Sequence, residues 1–148
     1  MQSARALSAA VLLIFAAGAI PGCQLFSQRD KNAPLVAEIN PPVADVPIPV
    51  GFVMTPDSSS KVVPGNAIRF VDHRYKGTDD VLPVVKFFRD HLPEKGWTWV
   101  DQSQARGNEV TLHYTKGNEH LYVTVNPGSW NRVYVRVKID PAGREAQK

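Results

Sequence analysis

The chain has 148 residues, a formal charge of +3 and a single cysteine. That length excludes several full-sized domains, and the mild basicity, part of it from Arg5 near the N-terminus, gives no electrostatic footprint for nucleic acid. One cysteine excludes an internal disulfide framework and a cysteine-based zinc finger, so its position at residue 23 becomes the informative fact.

In chain order, Met1 to Arg5 is a short positive start, Ala6 to Ile20 is apolar, and Pro21-Gly22-Cys23 stops the run. This is the n-region, h-region and cleavage-site order of a secretory signal, and the apolar run falls short of the ~20 residues a bilayer-spanning helix needs. Ile20-Pro21-Gly22-Cys23 resembles the lipobox of bacterial lipoprotein precursors, with an aliphatic first residue, a small residue before the cysteine, and the cysteine as lipid acceptor. The resemblance implies removal of residues 1–22, a lipid anchor on Cys23 and an extracytoplasmic protein. Gln24 in place of Asp implies outer-membrane sorting in a diderm organism. The rival is ordinary cleavage at Ala17-Gly18-Ala19, which leaves Cys23 a plain thiol.

Residues 23–45 form the acylated N-terminus and a polar, aperiodic stretch with Pro34, Pro41 and Pro42, which predicts a flexible linker reaching about 25–30 Å. The domain is expected over 46–141, ahead of a polar tail at 142–148. Val46-Pro47-Ile48-Pro49-Val50 alternates apolar residues with prolines and suits an extended segment along a sheet edge. Ser58-Ser59-Ser60-Lys61 matches the Ser-x-x-Lys pattern of penicillin-recognising enzymes, but it stands among prolines and lacks the partner motifs, so a solvated loop is expected.

Ala67 to Tyr75 reads as a strand whose facing Phe70 and Val71 leave open. Thr78-Asp79-Asp80 then predicts an N-cap with two acids in the first helical turn. Val81, Val84, Val85, Phe88 and Leu92 recur at helical spacing, and Pro93 and Gly96 mark the stop. Trp97 to Val100 opens another strand. Val110, Leu112 and Tyr114 alternate with polar residues, as do Leu121, Val123 and Val125, and Gly117-Asn118 between them predicts a two-residue hairpin with Lys116 opposite Glu119. After Asn126-Pro127-Gly128, Val133, Val135, Val137 and Ile139 complete the pattern. The fold class is α+β: one mainly antiparallel β-sheet, in the order strand, helix, four-stranded meander, with a single helix packed on one face. Phe87-Phe88-Arg89, Leu92-Pro93 and Gly96-Trp97 resemble a packing signature of small uncharacterised exported bacterial domains, which implies a fold and no activity.

Function follows from what chemistry the pattern holds. No nucleophile, base and orienting acid assemble by spacing, and no cofactor is implied. His113 and His120 fall diagonally on one face, but two ligands do not close a metal site, so none is assigned. The alternating strands place His113, Tyr122, Arg132, Tyr134 and Arg136 on the wet face, an aromatic and cationic composition enriched where proteins meet partners or sugars. The sequence therefore reads as a non-enzymatic, membrane-anchored envelope lipoprotein acting as a binding or structural module with an envelope protein or glycan partner. The alternative is an accessory small-ligand or glycan-binding exported protein.

Overall fold

The computed structural model describes residues 33–63 and 68–142. The expected signal peptide, Cys23, the first part of the linker and the tail beyond residue 142 lie outside them. Seven strands form one antiparallel sheet: β1 (Val53–Met54), β2 (Ser59–Val63), β3 (Ile68–Thr78), β4 (Thr98–Gln104), β5 (Val110–Lys116), β6 (Glu119–Pro127) and β7 (Arg132–Pro141). Among the described residues one helix, α1 (Val81–His91), joins β3 to β4 and is followed by a 3-10 turn at Pro93–Lys95. The sheet order is β1-β3-β7-β6-β5-β4, with β2 beside β1 on the same edge of β3. An α+β sheet-and-helix domain is therefore the architecture, with β1 and β2 preceding the first strand expected from the sequence.

The alternating strands dictate the layers. Leu112, Tyr114, Leu121, Val123, Val125, Val133, Val135, Val137 and Ile139 are buried on one face. Lys116 stands opposite Glu119 and Leu112 opposite Val123, with Gly117 in the left-handed region at the turn. On β3 it is Val71 that faces the core, with His73, Tyr75 and Gly77, whereas Phe70 points to the other side. Val84, Val85, Phe87 and Phe88 seat α1 against β5 and β6. Phe87 widens the expected stripe, as suits a helix that packs on a broad sheet face.

Four expectations are corrected. The helix begins at Val81, with Asp79 and Asp80 before it and no side-chain cap, because β3 runs on through Thr78, which pairs with Arg132. Ser58 to Lys61 does not stay a loop: Ser59–Val63 pairs with β3, whose edge supplies the hydrogen bonds that its own weak pattern could not demand. Val46 to Pro49 is buried rather than laid along an edge, since proline has no N–H to leave unsatisfied.

The fourth correction moves the domain boundary. Residues 33–45 are not a free linker, because Leu35 and Val43 are buried in the same core as Val46, Ile48 and Phe52. Bonds from Glu38 N–H to Ile48 O at 2.8 Å and from Val50 N–H to Val36 O at 2.8 Å fold this stretch into a two-limbed strap over the core face. Phe52 lies so close to Gly77 that a Cβ there would stand 2.5 Å from the ring. The absence of a side chain at residue 77 lets the strap close down on β3.

Asp45 pins the strap at one end of the sheet. Its carboxylate accepts two bonds from Arg69, at 2.8 and 2.7 Å, and one from Lys116 at 2.8 Å. Arg69 reaches on to Glu119 at 2.7 and 2.8 Å, while the indole N–H of Trp97 donates to the Asp45 carbonyl at 2.8 Å. Arg69 and Lys116 also lie over the Trp97 ring. Burial would raise the Asp45 pKa, but the bonds and charges of Arg69 and Lys116 outweigh it and hold the group down at about 2.

Candidate functional site

The open face of the sheet carries the residues singled out from the sequence. His113 stands opposite Tyr122 with the rings stacked, centroids 4.5 Å apart. His113 Nε2 is 2.9 Å from His120 Nδ1, and Asp101 Oδ2 is 3.6 Å from His113 Nδ1. Arg136 donates to both oxygens of Asp72, at 2.8 and 2.6 Å, which lowers the Asp72 pKa and raises its own. Lys138 pairs with Asp140. These polar groups satisfy one another, so the face is a solvated surface with its hydrogen bonds largely internal. Among the described residues no group of three or more His, Cys, Asp or Glu is placed to hold a metal ion.

Arg132 and Tyr134 differ from the other three, because they lie at the end of β7 where the sheet borders a cleft. Three connections converge there: the β3–α1 junction, the β4–β5 turn and the β6–β7 turn. The cleft has a volume of about 630 Å³. Val81, Pro83, Val110 and Val133 give it an apolar floor, and Asp79, Asp80, Gln104, Asn108, Asn131 and Arg132 give it polar walls. Local bonds fix the shape. Asp79 N–H donates to Asn131 O at 3.1 Å, Asp80 N–H to the Asp79 carboxylate at 2.8 Å, and Gly128 N–H to Arg132 O at 2.7 Å. Gly128 packs under the Tyr134 ring, where a Cβ would stand 2.6 Å away.

The backbone sets this end apart. Among the described residues, all three non-glycine residues with positive φ are here: Asn108 at 63°, Trp130 at 63° and Asn131 at 54°. Asparagine enters the left-handed region at little cost, but for a bulky residue it costs about 1–2 kcal/mol. Trp130 does so while 93% exposed, so burial of its own ring does not offset that cost. Strain of this kind clusters at functional sites.

The family model described as START domain-like matches residues 55–143, more than half of the chain. The chain belongs to the START domain-like family. No curated protein and no solved structure matches it. The START-like segment takes in every strand from β2 to β7, α1 and the whole cleft, and it leaves out β1 and the strap. No helix among the described residues is long and apolar enough to cross a membrane.

Sequence reasoning reached Arg132 and Tyr134 but missed Asp79, Asn108, Trp130 and Asn131 as site residues. The signals were local: Gly107-Asn108 and Trp130-Asn131 are turn sequences, and a tryptophan inside a turn between two amphipathic strands has no packing role to explain it.

Proposed function

We propose that this chain is a lipid-anchored protein of the bacterial envelope whose START-like domain binds a ligand without catalysing a reaction, and that the ligand sits in the cleft at the end of the sheet. The observation that carries the site is that Asn108 and Asn131, both left-handed, line one open cleft, with left-handed Trp130 next to Asn131 in the chain. Membership of a family whose members are generally binding domains rather than enzymes supports the binding role. The h-region and lipobox-like Ile20 to Cys23 support the anchor, and several acyl chains hold a protein to a membrane where one is marginal.

Two measurements test the reading. Cells fed a fatty-acid analogue label the wild-type protein and not Cys23→Ser; equal absence of label in both overturns the anchor and favours cleavage near Ala19. A fragment screen by amide chemical shift moves Asp79 to Leu82, Asn108 and Asn131 to Val133 together. Shifts confined to His113, Tyr122 and Arg136 return the site to the open sheet face.

A further inference from the structure

We infer that the cleft takes an uncharged oligosaccharide carrying acetamido groups, with Trp130 as the platform for one sugar ring; this rests on the cleft being the ligand site. The walls combine acceptors from Asp79 and Asp80, donors from Arg132 and both from the side-chain amides of Asn108 and Asn131. A sugar hydroxyl both donates and accepts, so it matches such a mixed wall. An aliphatic ligand would strip water from the exposed Asp80 carboxylate and the Arg132 guanidinium with nothing in return, and a phosphate-bearing ligand would face the carboxylates. An acetamido group adds an amide for the amide side chains and a methyl for the Val110 and Val133 floor. The 93% exposed indole of Trp130, adjacent in the chain to the cleft-lining Asn131, offers a flat apolar surface to the C–H face of a pyranose. Its turn is braced by the bonds from Asp79 to Asn131 and from Gly128 to Arg132, so little backbone freedom remains to be lost on binding.

An exposed tryptophan also suits a membrane surface, the main competitor for an anchored protein. The same carboxylates argue against it, because they border the cleft beside Leu82, itself 76% exposed, and would be pressed toward anionic headgroups.

The probe is chitotriose, titrated into the full chain in phosphatidylcholine nanodiscs while tryptophan fluorescence is recorded. A saturable change is expected that persists in Trp99→Phe, disappears in Trp130→Ala and weakens about tenfold in Asp80→Asn, a loss in the range of one binding contact. No saturable response up to millimolar chitotriose, or an undiminished response of the remaining tryptophans in Trp130→Ala, overturns the proposal. Strong quenching of Trp130 by brominated acyl chains before sugar is added makes the bilayer its occupant and equally overturns it. If fragments move the cleft amides while chitotriose does not, the sugar is wrong and the cleft stands; if neither moves them, both fall.

Discussion

Where β3 begins and β5 ends, Asp45, Arg69, Lys116 and Glu119 draw the strap, three strands and Trp97 into one set of charge-assisted bonds. Where β3 ends and β5 begins, the connections meet around an open cleft with an uncapped helix start and three left-handed residues. Both ends belong to the same sheet and share the same core, so the contrast lies in the connections. The closed end uses side chains to satisfy side chains. The open end leaves Asp80, Gln104 and Asn108 exposed and holds its shape mainly through backbone bonds, which suits a surface that must exchange water for a ligand.

Helix α1 starts at the open end and finishes at the closed one, so its removal from the core should loosen both. Phe88 is fully buried beneath it, and Phe88→Ala should cost about 3–5 kcal/mol in urea unfolding. A loss under 1 kcal/mol would mean that the helix is not what joins the ends.

Breaking only the closed end gives a smaller effect with a pH signature. The folded Asp45 pKa of about 2 lies below its usual 3.8, so its contribution is complete above pH 4 and lost as the pH falls toward 2. That shift corresponds to about 2 kcal/mol. Asp45→Asn should lose this amount at neutral pH and show a flatter acid limb. His73 adds a second, shallower slope in both proteins. Burial holds its pKa below 6.5, so its stability is full above pH 6.5 and declines as the pH drops beneath it. Its ring stays within reach of the Tyr75 hydroxyl at 3.1 Å and Ser60 Oγ at 3.3 Å.

Much of the closed layer was legible from the sequence. Period-2 alternation fixes which residues of β5, β6 and β7 face inward, and Gly117-Asn118 fixes the register of β5 on β6, because both signals are local. The strap was not legible. Leu35, Val43 and Asp45 lie in a stretch with no period, and their burial depends on Arg69, Trp97 and Lys116, which reach them from distant parts of the chain. The cleft was half legible: alternation leads to Arg132 and Tyr134, whereas the left-handed φ of Trp130 and the convergence of three connections arise only in the assembled sheet.

Two conservative changes sharpen the contrast further. The Tyr114 hydroxyl is buried with no hydrogen-bond partner among the described residues, and burial raises its pKa to about 12. Tyr114→Phe should therefore stabilise the core by up to about 1 kcal/mol, measured by thermal melt. Trp130→Gly relieves the left-handed strain but adds chain freedom, so it should leave stability level or raise it by about 0.5 kcal/mol while abolishing the chitotriose response. A large destabilisation would make Trp130 a structural residue.

Amide hydrogen exchange of the unliganded protein tests the difference between the two ends most directly. The account predicts fast exchange at Val81, Leu82 and Ser129 to Asn131, and slow exchange across Arg69 to Val71, Tyr114 to Lys116 and His120 to Tyr122, a gap of several orders of magnitude within one sheet. Equal protection at both ends, or faster exchange around Arg69 and Lys116 than around Trp130, would contradict it.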